Sequence, residues 1–110
     1  MLAGFLIEQG LFEEARLELE KSLVYHTDMS VVHNNWGVYH YKRGAYEEAI
    51  KSFREAIRMR PKGFQFHKNL GYALHRAGEK MDAVRAFEES LAVYGNQPKI
   101  EKFMRENGLK

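Results

Sequence analysis

The sequence contains no cysteine, only two prolines and no long apolar run. Without cysteine the chain has no disulfide, thiolate metal ligand or cysteine nucleophile, so packing must stabilise the fold. The apolar start, residues 1–7, ends at Glu8 with no basic residue before it, unlike a secretory signal. No stretch approaches the roughly 20 apolar residues that cross a bilayer. We therefore expect no membrane insertion and, if Met1 is the native start, a cytoplasmic protein.

An excess of charge of one sign is also missing. Lys and Arg number 17 and Asp and Glu number 15, for a net charge of +2, which is too balanced to indicate nucleic-acid or membrane-surface binding. With 110 residues, 45% of them hydrophobic, the chain has room for one folded domain, and a multidomain enzyme is excluded. Nine glycines occur singly, which excludes collagen-like and low-complexity structure.

A unit of 34 residues repeats along the chain. Gly10, Gly44 and Gly78 are spaced by this number, and similar sequences surround them in residues 8–15, 42–49 and 76–83. Seven positions agree in size and polarity across the three copies. A repeat of this length is the decisive signal for the fold, because it indicates one structural unit stacked several times.

Each copy predicts two helices joined at its glycine. In residues 30–63, apolar residues recur at helical spacing on both sides of Gly44. Glycine permits the left-handed conformation that ends a helix, and Pro61 stops the second helix because proline has no N–H. Helices that cross closely need small residues at the crossing, and this explains one set of positions: Gly37, Ala49, Ala56, Gly71 and Ala83.

A final helix is predicted after the third copy. Pro98 suits its first turn, Ile100, Phe103 and Met104 share one face, and Gly108 ends it. We expect its apolar face to cover the open end of the third copy.

The pattern resembles the tetratricopeptide repeat family. The second copy carries nearly the whole signature of that family: Trp36, Gly37, Tyr41, Gly44, Tyr46, Ala49, Phe53, Ala56 and Pro61. In this copy Trp36 stands where the family usually has Leu, and His40 where it usually has Tyr. In the third copy Lys80 stands in an aromatic position and Gly95 in a proline position. The resemblance implies an all-α, right-handed superhelix of tandem antiparallel helix pairs. The expected parts are an incomplete repeat 1–29, repeats 30–63 and 64–97, and a capping helix 98–110, with seven helices in total.

Catalytic and metal sites are not indicated. The sequence has no glycine-rich phosphate loop, nucleophile elbow or two-histidine zinc motif, so we predict no enzymatic activity and no cofactor. His33, His40 and His67 are the strongest metal candidates, but no Asp, Glu or Cys completes a ligand set beside them. We interpret His40 as filling an aromatic packing position and the other two as surface residues.

Charged clusters have ordinary explanations. Two glutamate pairs, at positions 13–14 and 47–48, open the second helices of their copies, where negative charge is favourable. A third glutamate pair, at positions 88–89, lies on a solvated face. The basic residues between Lys51 and Lys62 alternate with Glu47, Glu48 and Glu55, which favours a mixed-charge surface over a nucleic-acid site.

The family resemblance implies a ligand-binding groove lined by the first helix of each repeat, with Ile7 and Glu8 contributed by the first copy. The expected wall places rings beside cations and offers amides that can both donate and accept hydrogen bonds, which predicts a short acidic or amphipathic segment of a partner protein as ligand. Asn35 and Asn69 have the alternative of a packing role within the fold. The predicted groove residues are Asn34, Asn35, Val38, Tyr41, Lys42, Lys68, Asn69, Tyr72, His75 and Arg76.

The resemblance also allows a test for the carboxylate clamp that some family members use to bind heat-shock chaperone tails. Asn35 matches that clamp, but Gly4, Gln65 and Asn69 stand where it needs an asparagine, a lysine and an arginine. We therefore do not expect co-chaperone function of this type.

Two alternatives to the groove hypothesis remain open. The incomplete first copy would leave Met1, Leu2, Phe5 and Leu6 unshielded, which predicts self-association into a homo-oligomer through this helix. Truncation from a larger protein, in which this chain would be an accessory domain, explains the same feature.

Overall fold

The computed structural model describes residues 2–25 and 28–109. Within this range the chain forms seven α-helices and no strand, as the repeat predicts. The helices are α1 (Leu2–Glu8), α2 (Phe12–Tyr25), α3 (Met29–Lys42), α4 (Tyr46–Met59), α5 (Phe64–Arg76), α6 (Lys80–Val93) and α7 (Pro98–Glu106). None of these helices is both long and apolar enough to span a membrane.

The same turn closes the first helix of each pair. Gly10, Gly44 and Gly78 have φ values of 75°, 81° and 85°, which confirms the predicted left-handed conformation. In each case the N–H after the glycine donates to a carbonyl five residues earlier, for example from Ala45 to His40 at 2.9 Å. This bond satisfies a carbonyl that the helix end would otherwise leave without a partner, so the turn is short and its geometry is fixed.

These turns make three antiparallel pairs, α1 with α2, α3 with α4 and α5 with α6. Each pair packs on the next through α2 against α3 and α4 against α5. The first helices are also in contact, α1 with α3 and α3 with α5, so they lie side by side along one wall of the molecule. This wall is where side chains from all three pairs can face a common ligand.

Close helix crossings hold each pair together. The ring of Phe53 lies against Gly37, and the ring of Phe87 lies against Gly71, where an added Cβ would come within 2.7 Å of the ring. Both rings are almost completely buried. The predicted role of small residues at these crossings is confirmed, because a larger side chain would occupy the space that the ring fills.

Helix α7 closes the far end of the stack. Ile100 and Met104 are buried in the same hydrophobic cluster as Phe87, and Leu109 joins them after the left-handed Gly108, which follows the end of α7. Helix α7 therefore covers the apolar face of the third pair, as the sequence predicts for the final helix.

Candidate functional site

The wall formed by the first helices contains a cavity of about 380 Å³, which we call the central groove. Its residues come from α1, α3, α4 and α5, so no single repeat builds it. It is lined by Glu8, Val38, Tyr41, Lys42, Phe53, Asn69 and Tyr72.

Five of the ten predicted groove residues line this cavity: Val38, Tyr41, Lys42, Asn69 and Tyr72. Glu8, expected from the first copy, lines it as well. Sequence reasoning missed Phe53, whose ring lies behind the wall because it packs into the space left by Gly37. A buried second-helix residue gives no sequence signal for a groove position.

The aromatic rings of the groove are fixed by their neighbours. Tyr72 makes edge-to-face contacts with Phe87 and Phe103, at 5.1 and 4.8 Å between ring centroids, and Tyr41 makes a similar contact with Tyr46 at 5.5 Å. Rings held in this way present apolar area without losing rotamer freedom when a ligand binds. The apolar part of the groove is therefore organised before binding.

Burial also affects the ionisation of these phenols. Burial raises the pKa of Tyr41, and the positive charge of Arg76 opposes the shift. Burial raises the pKa of Tyr72 as well. Both hydroxyls are therefore neutral at physiological pH and can donate a hydrogen bond to a ligand.

Two of the three predicted cations already have partners. The Nζ of Lys42 lies 4.0 Å from a carboxylate oxygen of Glu8, and the guanidinium of Arg76 lies 5.2 Å from the ring centroid of Tyr46. Lys68 forms no ion pair with any residue that the structure describes, and it lies outside the central groove, in a neighbouring pocket. Positive charge is therefore not spread evenly along the wall.

The amides form a bridge between helices. The Nδ2 of Asn69 donates to the Oδ1 of Asn34 at 2.9 Å, joining α5 to α3. Asn69 thus lines the groove and also has a structural hydrogen bond, while Asn35 is half-buried outside the lining. His75 is in edge contact with Phe103 at 5.1 Å and is also outside it.

A second cavity of about 340 Å³, the terminal pocket, adjoins the groove, and Tyr72 lines both. It lies between α5 and the start of α7. Lys99, on α7, was not predicted as a site residue. Residue 98 follows residue 64 by one repeat length, so α7 stands where the first helix of a further repeat would stand. The lining residues are Phe64, Lys68, Tyr72, Asn96, Gln97, Pro98, Lys99 and Ile100.

The start of the chain presents an exposed apolar surface, which we call the α1 face. The side chains of Leu2 and Phe5 are 56% and 61% exposed. Leu6 is half-buried against a second hydrophobic cluster, which contains Ala3, Ile7, Ala15, Leu19 and Tyr39. Met1, which was predicted to belong to this surface, lies outside the described residues.

Two of the histidines considered as metal ligands, His40 and His67, have structural partners. His40 stacks on Trp36 at 5.8 Å between ring centroids, and burial lowers the pKa of its imidazole, an effect that Glu48 opposes. The Nε2 of His67 lies 2.7 Å from the carbonyl oxygen of Pro61. Across residues 2–25 and 28–109, no group of three or more His, Asp or Glu side chains could hold a metal ion.

Comparisons with known proteins match this architecture. Residues 37–78 match the family model described as TPR repeat, where TPR stands for tetratricopeptide repeat. Among solved structures, the chain is similar to the first TPR of Spaghetti (RPAP3) bound to the HSP90 peptide SRMEEVD, with a TM-score of 0.85 and 15% identity over 94% of this chain and 82% of that one. No curated protein gives a significant match.

Proposed function

We propose that this chain, which belongs to the tetratricopeptide repeat family, is a non-catalytic scaffold that binds a short segment of a partner protein in its central groove. The segment is acidic or amphipathic and lies across α1, α3 and α5. Binding of this kind needs no cofactor.

The observation that carries the proposal is the composition of the central groove. Val38, Tyr41 and Tyr72 supply apolar surface, and the amide of Asn69 lies beside them with hydrogen-bonding capacity suited to an extended backbone. A concave, mostly apolar site with a few placed polar groups is the usual form of a binding site. Because the rings are held in position, little conformational entropy is lost on binding.

The partner differs from that of the structural neighbour. That protein was solved with an HSP90 peptide, whereas in this chain the clamp positions carry Gly4, Gln65 and Asn69, which supply no positive charge. We infer a groove with the same general use and a different sequence preference, in which an apolar side chain of the ligand fills the space beside Val38 and Tyr72.

The test is selection of peptides from a random octapeptide library against the protein, followed by titration of the most enriched peptide. Val38→Glu places a charge in the apolar part of the groove, and we expect it to weaken binding at least tenfold, about 1.4 kcal/mol. Val93→Glu is the matched control, because Val93 is exposed on α6 and does not line the groove. Circular dichroism melts verify that both variants are folded. Equal affinities for the two folded variants would show that the groove is not the binding site.

Self-association is the second candidate function, and the α1 face favours it. Leu2 and Phe5 expose large apolar side chains on a short helix. Apolar side chains clustered on one exposed surface are typical of interfaces. Leu2 and Phe5 do not line the central groove, so self-association through this face is a function distinct from ligand binding in the groove.

A further inference from the structure

The terminal pocket differs in charge from the central groove that it adjoins. Lys68 from α5 and Lys99 from α7 both line it, and none of its described lining residues is acidic. In the central groove, by contrast, the charge of Lys42 is balanced by Glu8 at 4.0 Å. A bound segment would therefore meet a neutralised ion pair near α1 and two lysines near α7.

The walls of the terminal pocket are fixed in the same way as those of the groove. The ring of Phe64 contacts Tyr94 at 5.0 Å between centroids, and Tyr72 is held by Phe103. The Nε2 of Gln97 donates to the carbonyl oxygens of Ser90 and Tyr94, at 3.1 and 2.7 Å. The lysines thus stand on a framework that does not need to rearrange for a ligand.

We propose that the terminal pocket binds acidic side chains of the partner segment, and that it fixes the direction in which the segment lies. This inference rests on the proposed function of the central groove. The apolar side chain of the segment occupies the groove, and one or more Asp or Glu side chains beyond it reach Lys68 and Lys99. Two lysines from different helices act as separate point charges, which suits two carboxylates along an extended chain.

The pocket favours side-chain carboxylates over the carboxylate at the end of a chain. Capture of a terminal carboxylate typically uses several backbone N–H groups directed at one point. Here Pro98 has no N–H, and the side-chain amide of Gln97 is already used within the fold. The ammonium groups of Lys68 and Lys99 are the charged groups of the pocket, and they can bind the side-chain carboxylate of an internal acidic residue.

The first test repeats the octapeptide selection with two charge reversals on α7. We expect Lys99→Glu to remove the enrichment of Asp and Glu, and to weaken binding of the peptide selected by the unaltered protein about tenfold. Lys102→Glu is the matched control, because it makes the same charge change on an exposed residue of the same helix outside the pocket. Identical selections from the two variants would overturn the inference.

Further measurements distinguish side-chain carboxylates from the C-terminal carboxylate and determine the direction in which the peptide binds. Amidation of the C-terminus of the selected peptide should leave its affinity unchanged, and loss of binding on amidation would overturn the assignment to side chains. A nitroxide label at the acidic end of that peptide should broaden the backbone amide resonances of Asn96, Gln97, Lys99 and Ile100, and a label at the other end those near Glu8. The reverse pattern would overturn the proposed direction.

The proposed function and this inference can fail separately. If the selection enriches no peptide, or if Val38→Glu binds as well as the unaltered protein, the groove proposal and the inference that rests on it both fail. If binding depends on Val38 while Lys99→Glu and Lys102→Glu behave alike, the groove proposal stands and the terminal pocket is not a charge-binding site.

Discussion

Single residues decide how closely the helices of each pair approach. Gly37 and Gly71 leave space that the rings of Phe53 and Phe87 fill, and Ala3 stands in the same position of the first copy, where the corresponding second-helix residue is the smaller Leu19. Ala3 and Leu19 belong to one buried cluster. A larger residue on one helix is thus matched by a smaller one on the other, because the volume available at the crossing is nearly constant.

The crossing at Gly71 gives a direct test of this packing. We expect Gly71→Leu to destabilise the protein by about 2 kcal/mol, because the cost of overpacking exceeds the gain of about 1 kcal/mol in helix propensity. Urea denaturation measures the change. Gly95→Ala is the control, since its added Cβ would meet only the carbonyl oxygen of Leu91 at 3.6 Å, and its effect should stay within about 0.5 kcal/mol. The opposite ranking would show that the repeat register is wrong.

The two terminal helices differ in how their apolar surfaces are covered. Helix α7 buries Ile100 and Met104 against the third pair. Helix α1 has 7 residues, against 14 in α3, and it buries Ala3 and Ile7 while leaving Leu2 and Phe5 exposed. The described chain therefore covers the apolar face of its last helix pair and leaves apolar side chains exposed on its first helix.

The α1 face leads to a prediction about oligomeric state. We expect a dimer or larger species at about micromolar concentration, and Leu2→Lys combined with Phe5→Glu should shift it toward monomer, because charged groups resist burial in an interface. Size exclusion with light scattering measures the shift. Met81→Glu with Val93→Lys makes an equivalent change on exposed residues of α6 and should leave the species unchanged. A monomer at high concentration before any substitution would contradict the prediction.

Across the molecule, charge is distributed unevenly along the wall, although the net charge is only +2. Glu8 balances Lys42, and the guanidinium of Arg76 lies over the ring of Tyr46. Lys68 and Lys99 are both at the end nearest α7. The two ends of the wall are therefore electrostatically different although the chain as a whole is nearly neutral.

This difference predicts unequal effects of two neutralising substitutions. With the peptide selected by the unaltered protein, Lys68→Gln should lower affinity and flatten its dependence on salt between about 0.05 and about 0.5 M, because a screened attraction is lost. Arg76→Gln should change the salt dependence less, since this guanidinium is held over the ring of Tyr46 and lines neither the central groove nor the terminal pocket. Fluorescence titrations at several salt concentrations give both slopes. A larger effect of Arg76→Gln would show that Arg76, and not Lys68, faces the ligand.

The sequence by itself determined the helices, their turns and their order. Gly44 ends a helix because its left-handed conformation is a local property, and Pro61 stops the next helix for a reason equally local. The repeat spacing then predicted the same helix pair in each copy, and the resemblance to the tetratricopeptide repeat family implied that these pairs form an all-α superhelix. The family resemblance, applied by repeat correspondence, implied that Val38, Tyr41 and Tyr72 lie on the wall, and all three line the central groove.

The tertiary structure was needed to show which of those wall residues are available to a ligand. Pairing between Arg76 and Tyr46, or between Asn69 and Asn34, depends on the rotamers and distances of side chains on different helices. Repeat spacing does not encode those quantities, because they arise when the helices pack. The position of Lys99 beside Lys68 follows from the packing of α7 on the third pair. The charged end of the wall is thus a product of the assembled fold.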